Sequence, residues 1–337
     1  MAADAKARKP AQRRVTSTDV ARSLGISRAT VGYVLNNTPG QSIPEVTRKR
    51  VLDEAARLGY RPHAAAQALA RGSSRIVLHV LPDWPMEFTM REYLDETAQL
   101  LDRAGYSLVT WTRHLGDRSR PLWETLDPAV VTGHLPFTAE ELDALRAAGV
   151  QHVHPERPVT GSLADIPAVG EGAVRQVDHL ADRGHTSIAV AGTTDARLTV
   201  LAEARIKAAR RRARERGIPL TRAVHLHADP AAAGRAVARW VRAGVTAVVA
   251  FNDESAAAIL SAALGQGLRV PDDLAVVGHD DTPFAALYYP PMSSVRLDSR
   301  GVGRYFAEVA LTIVRGGSAA EIPLPELHTE VVTRATT

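Results

Sequence analysis

"VTSTDVARSLGISRATVGYVLN", residues 15–36, is the stretch on which the reading of this chain turns. Thr16, Ser17, Thr18 and Asp19 supply N-cap side chains ahead of an apolar pattern at Val20, Ala21 and Leu24, so a helix is expected to start there. Gly25 ends it, and Ser27 can cap a second helix whose apolar side is Val31, Val34 and Leu35. The other side of that second helix is plain: Arg28, Ala29, Gly32, Tyr33 and Asn36. Glycine inside a helix costs about 1 kcal/mol relative to alanine. Close approach of another molecule is a physical reason to keep Gly32. After the break at Pro39-Gly40, a third helix is expected from Pro44 to Leu58, with Pro44 suited to its first turn and Val51, Leu52, Ala55 and Leu58 on its apolar side. Two short helices joined through a glycine turn, then a third, match a helix-turn-helix. The plain face of the second helix is then free to lie in a DNA major groove, with Arg28 placed to reach a guanine edge.

Charge points the same way. Residues 1–75 hold 14 Lys and Arg against 5 Asp and Glu, a surplus of +9 inside a chain whose net charge is only +4. A small basic head on a mildly acidic body is the pattern of a polyanion-binding module joined to a different domain. Residues 1–14 read as a flexible basic arm. At 337 residues and 45% hydrophobic content the chain is long enough for two or three domains with real cores. It contains no apolar run long enough for a membrane span, and its first residues lack the apolar stretch of a secretory signal. There are no cysteines, hence no disulfide framework and no thiolate metal site, which fits the cytoplasm.

The opening stretch, together with "TRKRVLDEAARLGYRPHAAAQALARG" that follows it, resembles the head of LacI/GalR-type transcriptional repressors. The resemblance implies that Arg28, Ala29 and Tyr33 read bases and that Thr16, Ser17, Ser27, Thr30, Gly32 and Asn36 lie along the DNA backbone. Tyr33 stands where members often carry arginine, and Gly32 where serine is frequent. The alanine-rich segment 62–74 would be a hinge helix that orders in a dimer on DNA. Its Leu69 would wedge between base pairs in the minor groove, beside Ala66 and Gln67.

From Arg75 onward, strands and helices alternate. Strands are expected at "RIVLHVLP", "YSLVTW", "VQHVHP", "TSIAVAG", "AVHLH", "TAVVAF" and "LAVVGHDD", with helices between them. Such alternation argues a parallel sheet covered on both faces, with ligands beyond the carboxyl ends of the strands. Asp83, Asn252-Asp253 and Asp280-Asp281 fall at those ends, where Asn252 and Asp253 would also serve as helix caps.

The resemblance extends through "VDHLADRGHTSIAVAG", the long segment from Phe251 to Asp298 and "VGRYFAEVALTIVRGG". It implies the overall fold: a small all-α helix-turn-helix head (15–61) with a hinge helix (62–74), joined to an α/β body (75–337). The body would consist of two doubly wound parallel-sheet subdomains of the periplasmic binding protein type, 75–158 plus 283–316 and 159–282 plus 317–337. Asp83, Trp84, Phe88, Arg205, Asn252 and Asp280 would hold a small-molecule effector between them. "PERPVTGSLADIP" and "AVGEGA" (155–173) depart from the family pattern, in which aspartates commonly line that cleft. The partners implied are double-stranded operator DNA, a sugar-like or other effector and a second copy of the chain. A dimer is expected because no heptad extension follows the final "PLPELHTEVVTRATT".

Two other classes are weighed. A periplasmic-type binding protein conflicts with the basic head. An α/β enzyme with a DNA-binding head conflicts with the lack of a P-loop, G-x-G-x-x-G, H-E-x-x-H or G-x-S-x-G, so no enzyme activity and no cofactor are expected. His152 with His154, and His225 with His227, alternate along strands but have no acidic partner at a matching interval; surface or core histidines are expected, not a metal site. The run "RRRARER" (210–216) is expected to be a solvated helix face.

Overall fold

The structure is a computed structural model and describes residues 15–36, 38, 40–60, 74–114, 120–157, 167–226, 230–323 and 328–337. Residues 1–75 and 76–337 form two compact units.

The head contains α1 (Ser17–Leu24), α2 (Arg28–Leu35) and α3 (Glu45–Arg57). Each boundary has a local cause. Thr16 caps α1 through a capping box: its Oγ1 accepts from the Asp19 amide at 3.3 Å, and the Asp19 carboxylate accepts from the Thr16 amide at 2.9 Å. Gly25 ends α1 at φ 66°, a left-handed turn that suits glycine. Ser27 caps α2 by accepting from the Thr30 amide at 3.0 Å. Pro44 sits at the N-cap of α3, one position before the first turn where it was expected. The three helices close over Val20, Ala21, Val31, Val34, Val51 and Ala55, with Leu24, Leu35 and Leu58 at the edge. Burial is worth about 1.5–3 kcal/mol for a fully buried valine or leucine, so this small core rests on a handful of residues. Leu52 does not join it. It is 49% exposed, because the buried stripe of α3 runs through Val51 and Ala55, about 100° away around the helix.

The body is built on two sheets. The first orders β1 (Ile76–Pro82), β2 (Ser107–Arg113), β3 (Val130–Gly133) and β4 (Val153–His154) as 2-1-3-4, all parallel. The second contains β5 (Ile188–Thr193), β6 (Val224–Leu226), β7 (Ala247–Ala250), β8 (Ala275–His279), β9 (Ser293–Leu297) and β10 (Thr329–Val332), ordered 10-9-8-7-5-6, with only β10 antiparallel to its neighbour. Helices α4 (Phe88–Arg103) and α10 (Ser299–Val314) cover one face of the first sheet around Val77, Leu101, Val130 and Ala310; α5 (Ala139–Ala147) covers the other around Val80, Val131, Leu142 and Leu145. On the second sheet, α6 (Pro167–Asp182) and α7 (Thr199–Glu215) bury Val177, Ile188, Ala209, Val249 and Val277. There α8 (Pro230–Arg242) and α9 (Asp253–Gly265) bury Val237, Trp240, Val248, Ile259 and Val276 on the far side. Successive residues of β7 and β8 thus face opposite cores, which is why these strands are continuously apolar.

Two expectations are corrected here. Strands β3, β9 and β10 were missing from the expected alternation. The return of the chain to the first subdomain also comes later than residue 283. Residues 283–286 form a 3-10 turn with Ala285 in the core of the second sheet, β9 pairs with β8, and only α10 packs on the first sheet. Ser293 and Ser294 hid β9 because polar residues read as loop. Both are fully buried and bonded: the Ser293 amide donates to Thr336 Oγ1 at 2.9 Å, and Ser294 Oγ donates to Asp253. The expected hinge (Ala66, Gln67 and Leu69) and the basic arm lie outside the described residues.

Candidate functional site

In the head, the candidate site is the outer face of α2. Ser27, Arg28, Ala29 and Tyr33 are exposed, and Thr30, Gly32 and Asn36 are half-buried. A Cβ built on Gly32 meets nothing within 4 Å, so no packing within the head requires a glycine. The amino end of α2 carries a partial positive charge and leads with Arg28, a combination suited to phosphates and base edges. Ser27 Oγ and Thr30 Oγ1 lie 2.8 Å apart at that end. Thr16 is less available than expected, since its hydroxyl already donates to Asp19 Oδ2 at 2.7 Å. Ser17 is half-buried at the start of α1.

In the body, the carboxyl ends of the two sheets meet at the second candidate site. Arg205, on α7, is its centre. Its Nη1 donates to the Phe251 carbonyl at 2.8 Å, its guanidinium carbon lies 4.9 Å from the Phe251 ring centre, and its Nη2 stands 3.8 Å from Asp280 Oδ1. Its Nε is buried without a hydrogen-bond partner among the described residues. Burial lowers the pKa of Arg205, and the charges of Asp280 and Glu87 oppose that. Asn252 caps α9, accepting from the Ser255 amide at 2.9 Å, and also turns its Nδ2 toward Glu87 Oε1 at 3.4 Å. Asn252 is therefore both a helix cap and a partner of Glu87. Asp280 follows β8 at φ 98° and Asp281 at φ 41°. Backbone held there by a non-glycine residue costs on the order of 1–3 kcal/mol and clusters at functional sites. The pair divides its work: Asp280 faces Arg205 and takes a 2.7 Å contact from His279 Nδ1, whereas Asp281 is braced by Arg296 and Arg334. Burial opposes ionisation of Asp280, but His279 and Arg205 outweigh it and hold its pKa below the ordinary value.

The remaining expected positions are less uniform. Trp84 packs on both sides of the cleft, against Leu81, Met90 and Phe306 and against Leu198, Leu201 and Phe251. Asp83 Oδ1 lies 2.9 Å from His114 Nδ1. Phe88 opens α4. The residue before it, Glu87, is the one that reaches Asn252. Burial pushes the Glu87 carboxyl up to about 7, and the charge of Asp280 adds to the shift. Sequence reasoning missed Glu87, a lone carboxylate in a loop with no spacing signal. It also missed the bracing role of Asp253, whose Oδ2 accepts from the Thr282 amide at 2.7 Å. The unusual "AVGEGA" has a packing cause: Cβ atoms on Gly170 and Gly172 would collide with Ala208 and His279.

Of the two histidine pairs, His227 lies outside the described residues. His154 Nε2 lies 3.2 Å from Tyr305 Oη, and His225 Nδ1 lies 3.0 Å from the Thr193 carbonyl. No helix among the described residues is long and apolar enough to cross a membrane.

A helix-turn-helix with an open second helix, attached to a two-sheet body with a polar cleft, defines a DNA-binding regulator with an effector domain. Residues 16–63 match the family "bacterial regulatory proteins, lacI family", and residues 177–337 match the periplasmic binding protein-like domain. The chain is 28% identical over 335 residues to the HTH-type transcriptional repressor PurR of Vibrio vulnificus, covering 95% of this chain and 98% of that one. It is 28% identical over 309 residues to the HTH-type transcriptional regulator DegA of Bacillus subtilis, covering 86% and 88%. These are names of transcriptional regulators, not of enzymes. Among solved structures, the Lac repressor dimer bound to operator and the anti-inducer ONPF shares the fold with a TM-score of 0.73 at 22% identity, covering 96% of this chain and 99% of that chain. A LacI-family regulator from Silicibacter pomeroyi does so at 0.74 and 21%, with the same coverage. By these matches the chain resembles the lacI family of bacterial regulatory proteins.

Proposed function

We propose that this protein is a sequence-specific repressor that binds a near-palindromic operator as a homodimer and answers to a small polar, sugar-like molecule held around Arg205, Asn252 and Asp280. The observation that carries the reading is the outer face of α2, where Arg28, Ala29 and Tyr33 are exposed beside an unfilled position at Gly32. Arginine forks reach guanine edges and exposed aromatic edges reach thymine methyls in a major groove. The dimer is supported by an apolar patch on the body: Phe284, Leu287 and Tyr289 are 68%, 75% and 91% exposed. Such a patch is uncommon on a monomer and suits a self-complementary interface. Two heads then read two half-sites, and Leu69 with Ala66 and Gln67 kinks the centre from the minor groove, as in the family. In the cleft, a guanidinium between carboxylates and a carboxamide offers donors and acceptors in the forked pattern that hydroxyl-rich ligands use. The ligand favours one relation of the two sheets over the other and so shifts the population competent for DNA.

Selection of the full-length protein on a randomised duplex library at near-physiological salt tests the reading. Enrichment of a palindrome is expected. Equal retention of all sequences, without ligand and with a metabolite extract, would remove it.

A further inference from the structure

The basic run "RRRARER" on α7 is a solvated face, but its arginines divide into two groups. Arg212 and Arg216 turn to α6, where Arg212 Nε bonds Asp178 at 2.7 Å and Arg216 Nη1 stands 3.3 Å from the same carboxylate. Arg210, Arg211 and Arg214 do not join that clamp and form no ion pair with a described carboxylate. They line a groove of about 610 Å3 together with Lys207, Glu203, Ile206, Ala223 and His225. At about 100° per residue, residues 203, 207, 210, 211 and 214 share the side of α7 opposite Arg205, so this groove is not the cleft. Arg210, Arg211 and Arg214 therefore gather between α7 and β6, the last strand of the second sheet.

Like charges at i,i+4, as in Arg210/Arg214, weaken a helix; an anion between them relieves that repulsion. The opposite wall is also built. A Cβ on Gly192 would stand 2.8 Å from His225 Nδ1, so the glycine makes room for the imidazole against β5. His225 Nδ1 donates to the Thr193 carbonyl, so Nε2 of the neutral ring is an acceptor, suited to a protonated phosphate hydroxyl. The volume lies within the range of small-molecule sites, roughly 300–1,000 Å3. Guanidinium forks match phosphate oxygens in pairs.

We propose that the groove between α7 and β6 is a second ligand site that takes a phosphate-bearing small molecule of the diphosphate class, held by Arg210, Arg211 and Arg214 with His225 opposite. The test is titration calorimetry of the full-length protein with inorganic pyrophosphate, alongside hydrogen exchange. Saturable binding is expected. It should weaken about tenfold or more in Arg210→Ala/Arg214→Ala, the size of loss that follows from removing paired charge-assisted bonds. Arg300→Ala/Arg304→Ala removes the same charge from α10 and should leave binding within twofold or so, since surface charges that far from the site are screened. Slowed exchange should fall on residues 199–215 and 224–226. Absence of saturable binding, equal weakening by both double variants, or protection confined to the head would overturn the proposal. So would protection of the groove by non-specific duplex DNA but not by pyrophosphate, which would make it a nucleic-acid surface.

Discussion

Glu87→Gln separates the electrostatics of the cleft from everything else that titrates in the body. The Glu87 carboxyl is pushed up from its ordinary 4.5 to about 7, first by burial and then by the charge of Asp280, with Arg205 pulling against both. An acid whose pKa is higher in the folded protein binds its proton more tightly there than in the unfolded chain. Its stabilising contribution is therefore complete below pH 4.5 and is lost as pH rises through about 7. At about 1.36 kcal/mol per pH unit, that interval is worth on the order of 3 kcal/mol, less what residual solvent contact removes. Glutamine keeps the shape and can still accept from Asn252, but it cannot ionise. Asp253, pushed up to about 6 mainly by burial, adds a slope of the same sign. His79 and His134, lowered to about 3 and about 4 by burial, add slopes of the opposite sign. All three are common to both proteins and cancel in the difference. All four tryptophans, at 84, 111, 123 and 240, lie in the body, so their fluorescence follows body unfolding alone. Urea unfolding from pH 5 to pH 8 should show the variant and the parent close together in acid. The variant should become more stable by about 2–3 kcal/mol at the alkaline end. Parallel profiles, or a variant destabilised at high pH, would refute the placement of Glu87 as a buried charge facing Asp280.

Arg28→Ala should cost about 1–3 kcal/mol in operator binding and relax preference at one base pair per half-site, measured by competition with single-base variants; unchanged selectivity would move base reading off α2. Thr16→Ala should remove the capping box and about 1 kcal/mol of head stability, read from thermal melting by circular dichroism. An unchanged melting curve would mean that Asp19 does not depend on Thr16. Asp280→Asn keeps a residue tolerant of the left-handed turn but leaves Arg205 without its neighbour. It should abolish release of operator by whichever sugar or nucleoside releases the parent, with DNA affinity intact. A normal response would move the effector site elsewhere.

The head was legible because its signals are local. Caps, a glycine stop and a 3.6-residue apolar stripe are all within reach of a short window; Leu52 was misplaced, and Pro44 by one position. The body was legible where strands are buried on both faces, as in β7 and β8. Strand β9 escaped because its membership rests on Ser293 and Ser294 bonding to Thr336 and Asp253, partners some forty residues away in sequence. The arginine run is the solvated face its helical position implied, but only the neighbouring α6 decides that Arg212 and Arg216 are neutralised. At the carboxyl ends of the strands, Arg205 stands beside Asp280 and the Phe251 carbonyl that precedes Asn252, and Glu87 was invisible because nothing in its local sequence distinguishes it from any loop carboxylate.

The vacant position at Gly32 bears on how such a protein acquires new targets. A substitution there touches nothing within 4 Å inside the head, and at a helical position it would raise helix propensity by up to about 1 kcal/mol. Most changes of binding preference in proteins are paid for in stability; here the two run in the same direction. If α2 is the base reader proposed above, residue 32 can be rewritten toward other operators without a compensating change in Val31, Val34 or the α3 core. On that reading the outer face of α2 is a replaceable cassette on a fixed frame.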